Sequence, residues 1–281
     1  MKHISNNFLA GSSAIAVLLV FCASVPGLLG IISYPLETAD WRAQCVMQDQ
    51  LNVGMVLPLL LVSTLLALKN KVSGKYLWAA CMGYLAYTFT IYCFCIHFNE
   101  MFIAYCGCWS VSVFSFGYFL VMHQRENGPA IPMGLLKKMA VYFMSFAVVV
   151  AMVWLSEIIP AITSKRMPAS VERAGLFTNA VYVLDLAILL PGVFITGMLL
   201  RKQRALALSV TPVVLLFFVL MAATVGYMSF QNTREPALRW RIAGVVTIFV
   251  LIQLLLLRNW QSATEKRMLL KSDLASAGLN N

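Results

Sequence analysis

Eight apolar stretches, each long enough to cross a lipid bilayer, take up most of this 281-residue chain. A hydrocarbon core of roughly 30 Å needs about 20 consecutive apolar residues in a helix, and the charges fall almost wholly between such runs. The expected fold is therefore an all-α, polytopic membrane bundle of about eight transmembrane helices. The spans read as approximately 8–33, 51–68, 76–96, 101–122, 139–160, 178–200, 207–230 and 242–258.

Composition agrees. Hydrophobic residues make up 60% and charged residues 11%, against about 45–50% and about 25% in an ordinary soluble domain. The surplus apolar surface belongs against lipid, so the bilayer is the first partner. The gaps leave no room for a soluble domain: residues 1–260 read as a single transmembrane domain and 261–281 as a short cytoplasmic tail, polar and partly disordered. Lys266, Arg267, Leu269, Leu270 and Lys271 of that tail suit an anionic headgroup surface. The formal charge of +10 is explained by basic loops that orient the helices, not by nucleic acid, which is not expected as a partner.

Orientation follows from where Lys and Arg lie. With the N-terminus inside, the inner segments hold Lys2, Lys69, Lys71, Lys75, Arg125, Lys137, Lys138, Arg201, Lys202, Arg204, Arg258, Lys266, Arg267 and Lys271. The outer segments hold half as many: Arg42, Lys165, Arg166, Arg173, Arg234, Arg239 and Arg241. The excess favours both termini in the cytoplasm. The first run has the charge flank of a signal peptide in Lys2, but it continues past Pro26 and Gly27 without a small-x-small cleavage site, so an uncleaved anchor is expected.

A shift of 133 residues lays the second span over the sixth. Leu51-Asn52 then meets Leu184-Asp185, Leu57-Pro58 meets Leu190-Pro191, and Lys69 meets Lys202. Each segment puts a polar residue six positions before a proline and ends in basic residues. The match suggests two parallel four-helix repeats, 1–138 and 139–260. Transporter folds built from such repeats bind ligands between them; the alternative is coincidence between two proline-containing helices.

Few residues are placed to carry chemistry. Asp185 sits inside the sixth apolar run, where a charge costs about 2.5–3.5 kcal/mol on an insertion scale. It must face the bundle interior, face water or be protonated, and a proton-coupling role is chemically open. Pro58 and Pro191 are expected to kink their helices and to free the carbonyls of Gly54 and Ala187. Gln48, Asp49, Gln50 and Asn52 open the second span, His97, Asn99 and Glu100 fill a turn, Glu157 ends the fifth span and Asn179 begins the sixth. All fall on the outer side and suit either a vestibule above Asp185 or an ordinary solvated boundary. Tyr84, Tyr87 and Thr88 share a helix face, and Tyr182, three residues before Asp185, is its expected phenol partner.

Cys93, Cys95 and His97 precede that turn, and Cys106 and Cys108 follow it. Such groups bind metals, but alternate positions on a helix point apart, so no metal ligand is assigned and the cofactor is left unknown. A Cys45–Cys95 disulfide is a further option on an oxidising side.

The segments Gln48-Asp49 through Pro58 to Ser63, Phe98-Asn99 to Phe102, and Val183 through Asp185 to Pro191 resemble a group of uncharacterised bacterial multi-pass membrane proteins. That resemblance implies a bacterial inner-membrane location and draws attention to Asp49, Asn99 and Asp185; it implies no activity. Expected function is therefore binding or transport of a small solute or ion near Asp185, from the outer face. The alternatives are a membrane enzyme or metal protein using the Cys93/His97 turn, or a non-catalytic subunit with a membrane protein partner.

Overall fold

The computed structural model describes residues 4–31, 34–123 and 131–276, with side chains as far as Thr264. Lys2, Arg125 and the side chains of Lys266, Arg267, Leu269, Leu270 and Lys271 lie outside the described residues.

Among the described residues, eight helices are long and apolar enough to cross a membrane. They are α1 (Asn6–Leu28), α2 (Ala39–Leu68), α3 (Val72–Cys95), α4 (Phe102–Met122), α5 (Met133–Thr163), α7 (Ala180–Arg201), α8 (Ala205–Asn232) and α9 (Pro236–Ser276). A short helix, α6 (Ala169–Ala174), lies in the connection between α5 and α7. Among the described residues there is no strand. The architecture is an all-α polytopic membrane bundle.

The helices form two groups of four. In the first, α1 packs on α2, α2 on α3, α3 on α4, and α4 back on α1. In the second, α5 packs on α7, α7 on α8 and α8 on α9, while Gln253 of α9 donates to Tyr142 of α5. The groups meet along α3 and α8. More than half of the apolar window of each of these two helices is buried, against almost none of α9. Trp78, Tyr84, Leu85 and Phe89 of α3 are fully enclosed. The outer faces carry the exposed large hydrophobics, such as Val245, Ile248 and Leu251 of α9, as lipid-facing surface requires.

The offset of 133 recurs in the backbone. α2 ends at Leu68 and α7 at Arg201; α3 starts at Val72 and α8 at Ala205. Between each pair lies the same tight turn. Asn70 (φ 58°) and Gln203 (φ 51°) enter the left-handed region. The N–H groups of Lys71 and Arg204 reach back to the carbonyls of Leu66 and Leu199. This pattern closes a helix C-terminus by satisfying its orphan carbonyls.

Some boundaries differ from expectation. α1 stops at Leu28 rather than near residue 33, because Gly30 turns the chain at φ 69°. α2 starts at Ala39, twelve residues before the apolar run. Thr38 caps it by accepting from the N–H of Trp41, and Asp40 lies in its first turn, where an acid suits the helix dipole. The polarity of residues 40–50 suggests a loop, yet their helix turns much of that polarity inward. Among the described residues of the tail, α9 continues as backbone helix to Ser276.

Connections 29–38, 96–101 and 164–179 share one end of the bundle, the long-loop end. Residues 69–71 and 202–204 mark the opposite, basic end.

Candidate functional site

α2 and α7 share a distortion. Residues Asn52–Val56 of α2 and Leu184–Leu189 of α7 form π-helical turns. Proline placement explains them. In a regular helix Pro58 would press on the carbonyl of Gly54, and Pro191 on that of Ala187. Instead the preceding turn widens, so that Leu57 N–H bonds to Asn52 O and Leu190 N–H to Asp185 O. Each proline then falls in the first turn of the resumed α-helix, where a missing N–H is tolerated. The two prolines widen their helices, and neither Gly54 nor Ala187 lines the cavities described below. π-turns inside α-helices are often found at functional sites.

Asp185 stands in the π-turn of α7, 7% exposed. Its Oδ1 accepts from Tyr87 Oη at 2.9 Å and its Oδ2 from Trp154 Nε1 at 2.8 Å. Tyr182 is not its partner: that hydroxyl bonds Ser170 Oγ at 2.7 Å. Asp185 takes its partners from α3 and α5 instead.

A second carboxylate, Asp49 of α2, is fully buried. It accepts from Tyr34 at 2.6 Å and Tyr92 at 2.8 Å. Gly27 of α1 permits this, since a Cβ there would run into the Asp49 carboxylate. Burial, and then the neighbouring Asp49 charge, push the Tyr34 phenol well above the usual tyrosine range, so it stays a donor. Asp49 therefore belongs to the interior and not to a solvated rim.

Between the two carboxylates lies a cavity of about 250 Å³ at the seam of the two helix groups. Five aromatic side chains line it: Trp41, Tyr84, Tyr87, Tyr92 and Trp154. Met221, Val225 and Met228 of α8 close one side; Gln48 and Thr224 supply polar atoms. Gln44 lines both this cavity and a polar vestibule of about 380 Å³ at the long-loop end, which Asp40, Arg173, Ser170 and Asn232 also edge. On the far side, Trp154, Met221 and Val225 separate the cavity from an apolar groove of about 350 Å³ that reaches Asp185 directly.

A hydrogen-bond chain crosses the seam. Gln48 Nε2 donates to Asn52 Oδ1 at 3.0 Å and to Tyr84 Oη at 2.9 Å, and Asn52 Nδ2 donates to Ser24 Oγ. Tyr84 Oη and Thr224 Oγ1 are 2.7 Å apart. Thr224 gives its single hydrogen to the carbonyl of Leu220, so Tyr84 is the donor to Thr224. With Tyr84 donating to Thr224, its oxygen is free to accept from Gln48.

His97, Asn99, Glu157 and Tyr182 do not line the central cavity. His97 bonds Glu37 through both its N–H and its Nδ1, the latter at 3.0 Å. Asn99 accepts from the N–H of Met101 and shapes its own turn. Glu157 accepts from the N–H of Ser170 at the start of α6, and Tyr182 packs edge-on against Trp154. These groups tie down the connections at the long-loop end. The Cys/His cluster is not assembled: Cys93 faces Cys106, and Cys95 Sγ accepts from the N–H of Ala180. Among the described residues no three His, Cys, Asp or Glu groups converge on a metal-sized site. All seven cysteines are free thiols, so Cys45 and Cys95 are not joined.

Trp41, Tyr92, Trp154 and Thr224 are site residues that the sequence reading misses. Tyr92 is within its reach, because it continues the face of Tyr84 and Thr88 by steps of four. Trp154 lies in an apolar run with no local sign that it reaches Asp185.

No family model matches the chain, and neither curated proteins nor solved structures give a match.

Proposed function

We propose that the protein binds and transports a small solute or ion through the cavity between the two helix groups, with Asp185 directly behind its wall, bonded to the lining residues Tyr87 and Trp154. One observation carries this reading: a cavity sits at the seam, beside two π-distorted helices and next to a polar vestibule, with a carboxyl group at each side. Broken or distorted helices flanking a midplane site are the usual construction in repeat-built transporters. The shared 133-residue offset of π-turns, helix ends and turns supports a tandem repeat with halves 1–138 and 139–260. The Lys and Arg distribution favours cytoplasmic termini, which turns the vestibule outward. A bacterial inner-membrane location rests on the resemblance of the segments around Asp49, Asn99 and Asp185.

A non-catalytic subunit is the second reading, and α9 favours it, since its nearly unburied length suits a partner helix as well as lipid.

Proteoliposomes loaded with a pH-sensitive dye and challenged with small amines, amino acids and sugars test the proposal. The wild-type chain should give a solute-dependent proton or solute flux, lost in a folded Asp185→Asn variant. No flux with any solute, or an unchanged flux in the variant, contradicts it.

A further inference from the structure

We infer that the solute taken by this cavity is a small organic cation. The inference rests on the reading of the cavity as the solute site and adds the ligand's chemical class.

The aromatic side chains of the wall have given away their hydrogens. Trp41 Nε1 donates to the carbonyl of Cys95 at 2.7 Å and Trp154 Nε1 to Asp185. Tyr87 donates to Asp185 and Tyr92 to Asp49. Tyr84 donates to Thr224, and Thr224 to Leu220. Gln48 directs both amide hydrogens at Asn52 and Tyr84. From these side chains the cavity therefore meets ring carbon and phenol oxygen, with the Gln48 amide and the Thr88 hydroxyl beside them. The other amides, Gln44 and Asn179, stand toward the mouth at the long-loop end. A neutral acceptor or an anion finds little to bond in such a wall; a positive group finds acceptors and π-electrons.

Charge points the same way. Among the described residues, no Lys, Arg or His lines the cavity. Asp49 and Asp185 have no cationic partner there either, the one ion pair among the described residues being His97–Glu37. Buried carboxylates are normally paired, and a cation in the cavity would supply the missing charge one side chain away from each. Phenol and indole groups that donate to carboxylates are polarised by them, which makes their rings more electron-rich toward a cation. Aromatic enclosures of this kind hold ammonium groups. The size suits a small aromatic or quaternary amine, since an apolar cavity of about 150 Å³ accepts benzene. The groove behind Trp154 is apolar, so it offers an amphiphilic amine a second approach to Asp185, from the bilayer side.

The test uses the full chain in mild detergent, with binding read from tryptophan fluorescence. Three probes of similar size are compared: phenyltrimethylammonium, its neutral isostere tert-butylbenzene, and benzoate. The cation should quench saturably and bind at least about tenfold more tightly than the other two, the scale of a desolvated cation–π contact. Tyr87→Phe keeps the ring but cuts its link to Asp185, and Gln48→Leu removes the amide in the wall. Each should weaken the cation several-fold and leave tert-butylbenzene unchanged; equal loss for both probes means a purely structural role and overturns the inference. Binding of benzoate or tert-butylbenzene as tight as the cation's overturns the cation class while leaving the cavity as a solute site. Saturable binding of none of the three overturns both.

Discussion

At the scale of residues, the two buried carboxylates organise what lies around them. Each accepts two hydrogen bonds from aromatic side chains, and each sits where the α-helical frame has been adjusted: Asp185 in a π-turn, Asp49 against a glycine. The glycine gives a direct test. Gly27→Ala places a methyl group against the Asp49 carboxylate. The expected cost is about 1–3 kcal/mol, as for other overpacked interiors, seen as a lower unfolding temperature in detergent. Gly11→Ala in the same helix meets nothing within 4 Å and should be neutral or slightly stabilising. Asp185 is legible in the sequence because a lone acid inside an apolar run is costly. Its partners are not. The expected pair with Tyr182 rests on spacing within one helix, whereas the partners Asp185 has, Tyr87 and Trp154, come from α3 and α5. Asp49 looks like a surface acid because it stands among polar residues, and only the fold shows that Tyr34 and Tyr92 enclose it.

At the scale of elements, hydropathy locates all eight membrane helices but misplaces their ends. The difference that bears most on the site is α2. Its first third is polar, and such polarity suggests that the helix has ended; the helix instead begins at a capped Thr38 and carries Trp41, Gln44 and Gln48 into the cavity. Thr38 does two jobs, accepting from Trp41 N–H and donating to the carbonyl of Arg173 at 3.0 Å. Thr38→Val keeps the shape and removes both bonds. We expect a loss of about 1–2 kcal/mol, the upper range for a lost N-cap, measured by thermal unfolding. A change well below that would mean that α2 is held at its start by packing alone. The prolines do mark the mid-helix irregularities, though they widen the turn where a simple kink is expected.

For the whole molecule, the two helix groups are joined along α3 and α8, and the cavity lies at that seam. The 133-residue offset is readable in the sequence from α2 and α7 alone. The structure extends it to helix ends, tight turns and π-turns. The cavity itself is not readable, since its wall draws on α2, α3, α5, α8 and the entry to α7, elements far apart in the chain. The reactivity of a thiol placed in that wall tests whether a solute path runs through the seam. Thr224→Cys is close to isosteric and lines the cavity, while Cys81 is fully buried in the core and serves as an internal control. Sealed proteoliposomes would be treated with a cationic, membrane-impermeant methanethiosulfonate, and modification would be read site by site from peptide masses. The thiol introduced by Thr224→Cys should be modified while Cys81 is not. An introduced thiol as unreactive as Cys81 would contradict a solute pathway through the seam.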